Sequence, residues 1–256
     1  MIGWIDSHAH IFDETYFSPL DVIARAKNAG ISKIMAVCCT LEEAKRAIKI
    51  AAIEPILDIA IGFHPSDIHE ITEEMWNNLE ILAHNPYVIA IGEIGLDAYW
   101  NPETLPLQEI AFVRQIKLAN KVKKPILVHS RDAITKTLSI LKKHPVEAKG
   151  ILHCFSSSVE MAIEFIKLGY LISLGGPVTF KNAKTPKEVA AMIGLENLLI
   201  ETDSPYLTPH PFRGKTNEPA YLIYTAQEIC QIKEIDEETL KEAQHINYMR
   251  LFHSEN

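Results

Sequence analysis

Short runs rich in valine, isoleucine and leucine alternate with longer amphipathic segments from one end of the chain to the other. The strand-like runs are Trp4 to Ile5, Lys33 to Val37, Ile56 to Ile61, Val88 to Ile91, Ile126 to Val128, Gly150 to Leu152, Tyr170 to Leu174 and Leu198 to Ile200. Helical segments are expected near 20 to 29, 41 to 52, 73 to 84, 106 to 122, 133 to 144, 159 to 168 and 186 to 193, with a last stretch from Tyr221 to Leu251. The period is clearest between Leu105 and Val122, where Ile110, Val113, Ile116, Leu118 and Val122 recur among Gln108, Glu109, Arg114 and Lys117. One face of that helix packs inward. The strand runs are apolar throughout, as a parallel sheet covered on both faces requires. Repeated βα units either close into a barrel or spread into an open doubly wound sheet. About eight strands in 256 residues match a TIM (β/α)8 barrel, expected as a single domain over residues 1–256, with the open sheet as the alternative. The Pro-rich stretch from Thr208 to Pro219 is too short to separate domains and reads as an active-site loop.

Polar residues fall directly after the strand runs. The first run leads into Asp6-Ser7-His8-Ala9-His10, the third into Gly62-Phe63-His64-Pro65, and the fourth into Gly92-Glu93-Ile94-Gly95-Leu96-Asp97. The fifth leads into His129-Ser130-Arg131-Asp132, the sixth into His153-Cys154-Phe155-Ser156, and the eighth into Glu201-Thr202-Asp203-Ser204. In a barrel these ends converge on one face, so His8, His10, Glu93, His129, His153 and Asp203 gather in one pocket. Imidazole and carboxylate are the donors that zinc, manganese and similar divalent ions take. His8 and His10, two apart on an extended segment, point to the same side and can grip one ion. Glu93 can bridge two ions through its two oxygens. A single histidine after a strand is more often a hydrogen-bonded structural residue, but six such groups crowded together without a cation would repel or shift their pKa values strongly.

The other histidines carry less. His84 and His144 stand at helix C-termini before Asn-Pro or Pro, where they complement the helix dipole. His69, His245 and His253 read as surface or packing residues, while His64 and His210 lie beside proline on loops of the presumed active face. A nucleophilic pair of His153 and Cys154 is disfavoured because adjacent strand residues point to opposite faces.

A hydrophobic fraction of 47% and a charged fraction of 23% are ordinary for a globular protein. No run approaches the roughly 20 apolar residues that span a bilayer, and strand-like sequence begins at Ile2 without a basic leader or cleavage site, so a cytoplasmic location is expected. Cys38, Cys39, Cys154 and Cys230 show no paired spacing and read as buried thiols. The net charge of -8 argues against wrapping duplex DNA, although bound cations and a local basic rim can still hold one strand end.

Taken in order, these motifs resemble those of the TatD-type metal-dependent deoxyribonucleases, a family within the amidohydrolase-like barrels. The elements are Asp6 to His10, Gly92 to Asp97, Pro125 to Arg131, His153 to Ser156, Ile200 to Leu207, and Pro209-His210-Pro211-Phe212-Arg213-Gly214-Lys215 with Asn217-Glu218-Pro219. The resemblance implies a hydrolase with two divalent ions, Mg, Mn or Zn. His8, His10, Glu93 and Asp203 would hold one, and Glu93, His129 and His153 the other. It further implies a 3′-to-5′ exonuclease acting on DNA, with single-stranded ends as the expected partner. Ser157 stands where the family has glycine, and Ala98 where it is often aromatic, departures that bear on substrate fit. Related amidohydrolases place a carboxylated lysine at the end of the fourth strand; Glu93 in its stead tilts the expectation toward phosphoesters. Asp203 is the expected general base and Glu93 the bridging carboxylate, with His64, Arg131, Arg213 and Lys215 as candidate substrate-binding groups. The alternatives are hydrolysis of an ester or amide in a small molecule or aminoacyl-tRNA, and a noncatalytic barrel that uses ions structurally.

Overall fold

Strand and helix alternate strictly up to the last strand in the computed structural model, which describes residues 2–253. The order is β1 (Trp4–Ala9), α1 (Pro19–Asn28), β2 (Ile31–Cys38), α2 (Leu41–Ala51), β3 (Leu57–Ile61), α3 (Glu73–Ala83), β4 (Val88–Asp97), α4 (Leu105–Val122), β5 (Ile126–Arg131), α5 (Ile134–Lys143), β6 (Gly150–Leu152), α6 (Val159–Lys167), β7 (Leu171–Leu174), α7 (Lys184–Met192), β8 (Leu198–Ile200), α8 (Leu222–Lys233) and α9 (Glu237–Phe252). Every paired strand is parallel to its neighbour in chain order, which is the (β/α)8 barrel rather than the open sheet.

Local chemistry sets the helix starts. Ser18 caps α1 ahead of Pro19, and Thr40 with Glu43 forms a capping box on α2. The stretch expected as one final helix is two: Glu234 takes a left-handed conformation that ends α8, and Asp236 caps α9 by accepting the Thr239 amide. β1, β4 and β5 run four, six and three residues past the apolar runs that announce them, so the polar motifs lie inside strands rather than after them. The barrel mouth buries polar side chains, and apolarity therefore stops marking the strand before the ladder ends.

Alternate strand residues separate two apolar layers. Ile5, Met35, Val37, Ala60, Ala90, Leu127, Ile151, Leu171 and Leu199 draw on all eight strands and cluster together, so they fill the lumen. Their neighbours along each strand, such as Ile34, Ile59, Ile126 and Ile172, pack against the helices instead. Tyr248 and Phe252 of α9 join the lumen cluster and plug its floor. There Tyr248 donates to Asp58 Oδ2 (2.9 Å), beside contacts of Asp58 with His253 (2.8 Å) and Lys33 (3.1 Å).

The seam between β8 and β1 is joined at the opposite end. An isolated parallel bridge links Ala9 with Ser204, the Asp203 amide donates to His8 O (3.0 Å), and the His10 amide donates to Ser204 O (2.7 Å). Buried Asp6 accepts both the amide (2.9 Å) and the hydroxyl (2.6 Å) of Thr202. Residues about 195 positions apart are thereby fixed where the chemistry-bearing side chains converge. Among the described residues no helix is long and apolar enough to cross a membrane.

Candidate metal centre

Glu93 lies at the middle of the mouth. Its Oε2 is 3.3 Å from both His8 Nε2 and His10 Nε2, and those two nitrogens are 3.2 Å apart. Asp203 Oδ1 closes the group at 3.8 Å from His8 and 3.6 Å from His10. Four donors around a tetrahedral ion with bonds of about 2.0 to 2.1 Å lie about 3.3 to 3.4 Å from one another. The five separations scatter around that value, and His8, His10 and Asp203 form one donor group that could hold a divalent cation, with Glu93 Oε2 beside its two imidazoles. Asp203 is held there by a left-handed backbone (φ 55°), a conformation that costs energy in a residue with a side chain.

The other oxygen faces a second group. Glu93 Oε1 is 2.6 Å from His129 Nδ1 and 2.6 Å from His153 Nε2, with 3.2 Å between the two nitrogens. The two contacts to Glu93 are at hydrogen-bonding distance, shorter than the separation of donors around a bound cation. His64 Nε2 is 3.6 Å from the same oxygen, and its ring meets that of His129 at 4.5 Å. The structure thus places His64 among the candidate ligands, in a donor group with Glu93 and His129.

The electrostatics describe a charged cage. Burial would raise the Glu93 carboxyl, but the imidazoles of His153, His64, His10 and His129 hold it well below the usual carboxylate range. Burial opposes protonation of His153, yet Glu93 and Glu201 raise it well above an ordinary histidine. Asp203, Cys39 and Glu93 do the same for His10, while Asp97 and Glu93 raise His129 against the effect of burial. His64 goes the other way, pushed down to about 4 by burial, and burial with the nearby His153 lowers His8.

Three neighbours carry roles that the sequence did not assign. Asp97 Oδ2 contacts His129 Nε2 at 3.1 Å, while its Oδ1 accepts the Tyr99 and Trp100 amides at 2.9 Å each. Burial works against the charge of Asp97, but these bonds hold it at about 2. Strand alternation puts Asp97 and Glu93 on the same side of β4, a signal available beforehand. Fully buried Glu201 accepts the Cys154 amide (2.6 Å), and its other oxygen has no hydrogen-bond partner. It groups with His8 and His153, whose rings stack at 3.9 Å and whose Nδ1 atoms likewise lack hydrogen bonds. Cys39, expected to be buried, is partly exposed and shares a donor group with His10 and Glu93. Cys154 is also only partly buried; Cys38 and Cys230 are buried as expected.

Gly95 permits the close approach of β4 and β5. Its φ of +149° disfavours other residues, and a Cβ there would stand 2.0 Å from His129 O. The family model described as "TatD related DNase" matches residues 5–253. The chain belongs to the TatD family. It is 44% identical over 249 residues to the uncharacterized metal-dependent hydrolase YabD of Bacillus subtilis, covering 96% of this chain and 98% of that protein. To the uncharacterized metal-dependent hydrolase YcfH of Escherichia coli K12 it is 35% identical over 257 residues, covering 97% and 95%. The crystal structure of YJJV, a TatD homolog from E. coli K12, superimposes over all of both chains with a TM-score of 0.94 at 29% identity. Membership in the TatD family agrees with the barrel and with the order of motifs along it.

Proposed function

We propose that this TatD-family chain, a metal-dependent hydrolase, cleaves phosphodiester bonds of DNA and removes nucleotides from the 3′ end of a single strand. The observation that carries this reading is the position of Glu93, whose two oxygens face two separate sets of donors. His8, His10, Glu93 and Asp203 would hold one ion; Glu93, His129 and His153 would hold a second. Bound there, divalent cations lower the pKa of a water toward neutrality and withdraw charge from phosphate oxygens.

Asp203 stays ionised, because the His10 hydrogen bond and the nearby imidazoles outweigh the effect of burial, and it can accept the proton of an attacking water. Glu201 Oε1 lies 3.4 Å from His153 Nδ1, so this carboxylate supports the edge of the ring opposite the Nε2 that faces Glu93. Cations at the rim supply the grip on phosphate. Arg213 stacks on Phe180 at 4.2 Å beside a hollow of about 450 Å³ that His210 and Lys181 also line, and Lys215 lies 5.3 Å from the Phe212 ring. This basic rim suits a strand end on a protein of net charge -8 better than a duplex held along its length. The family model's description supports DNA as the substrate class.

The test is cleavage of single-stranded oligonucleotides labelled at either end, beside aminoacyl-tRNA and small esters and amides. The expected result is stepwise shortening from the 3′ end, lost on chelation, restored by Mg²⁺, Mn²⁺ or Zn²⁺, and abolished in Asp203→Asn and His129→Ala with metal present. Wild-type turnover in either variant, or full activity without metal, overturns the assignment.

A further inference from the structure

Two large rings stand exposed on the connection between β4 and α4, immediately beside the candidate metal centre. Tyr99 is 52% and Trp100 63% exposed, although aromatic rings of this size ordinarily bury most of their surface. Their backbone is nonetheless fixed. Asp97 accepts both of their amides, the Ala98 amide donates to Arg131 O (2.9 Å), and the Gln108 side chain donates to Asp97 O (3.0 Å) and Asn101 O (3.2 Å). The rings meet edge to face at 4.9 Å and 87°.

Arg131 completes the group. It pairs with Asp97 across β4 and β5, two residues beyond His129, so its side chain leaves the same side of the strand one step further out. Its guanidinium lies 3.9 Å from the Tyr99 ring centre and 5.4 Å from that of Trp100. Among the described residues it makes no ion pair. A guanidinium stacked on its face keeps its N–H edges for another acceptor, and a phosphate matches that edge.

We propose that Tyr99, Trp100 and Arg131 form a stacking subsite that seats a base of a single-stranded DNA end, with the adjoining phosphate against Arg131. The proposal rests on the phosphodiesterase reading above and adds to it how the strand end is recognised. Every base has a flat face that stacks on an aromatic ring, so the subsite is tolerant of sequence. In a duplex that face is covered by the neighbouring base pair, so the subsite favours unpaired ends. Asp97 ties it to the chemistry, one oxygen fixing the aromatic loop and the other contacting His129.

The experiment compares wild type, Trp100→Ala, Trp100→Phe and the pair Tyr99→Ala with Trp100→Ala. Substrates are a single-stranded octamer and an octamer of the same backbone with every base removed, followed by cleavage and by fluorescence anisotropy. Exposure of both side chains leaves the fold intact, which circular dichroism checks. Trp100→Ala should raise KM for the octamer about ten-fold, the cost of losing one base stacked on one ring, with kcat within two-fold. Trp100→Phe should restore most of the affinity, and the base-free octamer should bind wild type and variants equally weakly. An unchanged KM in the double variant overturns the subsite while leaving the nuclease reading standing. If wild type cleaves no oligonucleotide, the nuclease reading fails and anisotropy decides the subsite alone: binding weakened by Trp100→Ala supports it, and binding indifferent to that change or to the bases overturns it.

Discussion

Asp97→Asn tests whether the pocket around the imidazoles, and not the imidazoles alone, governs cation binding. Asp97 is 1% exposed and meets three partners: the Tyr99 and Trp100 amides on Oδ1 and His129 Nε2 on Oδ2. Asparagine keeps an oxygen for the two amides but turns an N–H₂ group toward Nε2. A charge-assisted hydrogen bond worth roughly 1.5 to 3 kcal/mol is lost, and donor then faces donor. The neutral imidazole that binds a cation would then keep its proton on Nδ1, the atom that faces Glu93 at 2.6 Å and would face the cation. A protonated Nδ1 has no lone pair to give, so the second cation should bind about 10 to 100 times more weakly. The quartet of His8, His10, Glu93 and Asp203 lacks this partner and should change less than two-fold. Titration with Zn²⁺ or Mn²⁺ against a competing chelator resolves the two affinities, and at a free-metal level that saturates wild type the variant should hold one ion fewer. Two affinities within three-fold of wild type would refute the reasoning.

Gly95→Ala puts a Cβ against His129 O where only 2.0 Å is available, so β5 must shift; urea unfolding should show a loss of roughly 3 kcal/mol or more, with cation affinity falling in parallel. Because His10, His129 and His153 have raised pKa values, cation binding must displace their protons, so apparent affinity should tighten with rising pH by up to about ten-fold per unit for each proton released. Calorimetry in buffers of different ionisation enthalpy counts those protons, and an affinity flat from pH 6 to 8 contradicts the assignment. In the metal-free protein, stability from these raised groups is full below the unfolded histidine value near 6.5 and lost as pH rises through their folded values. The melting-temperature gap between metal-loaded and metal-free protein should therefore widen from pH 6 to 8. His8 and His64, lowered by burial, reduce stability only as pH falls below about 6.5. Tyr248→Phe removes the hydroxyl bond to buried Asp58 at the barrel floor and should cost roughly 1 to 2 kcal/mol in thermal unfolding without altering turnover; an equal loss of activity would show that floor and mouth are coupled.

The barrel was legible because a parallel strand covered on both faces must be apolar throughout, and eight such runs separated by amphipathic segments leave few architectures. The pattern failed where polarity has another purpose. β4 continues through Glu93 and Asp97, and β1 through His8, because the mouth needs ionisable groups on ladder positions. Neither glycine nor proline marks the break between α8 and α9; Glu234 adopts the left-handed conformation without them. Glu201 and Asp97 lie within the sequence motifs, but their contacts to Cys154 and His129 exist only where two distant strands are side by side. His64, expected among the substrate-binding groups, is brought by the turn after β3 to 3.6 Å from Glu93.

By itself the sequence determined which chemistry was available: imidazoles and carboxylates at strand ends, an acidic chain with a few basic loop residues, and a βα repeat of the length a barrel needs. Only the tertiary structure decided which donors share a partner and which support others, since those distances depend on strand register and on the seam at Ala9 and Ser204. Periodicity is a property of neighbours along the chain, whereas a cation site depends on atoms within a few ångströms across it. Closing the sheet converts the first into the second.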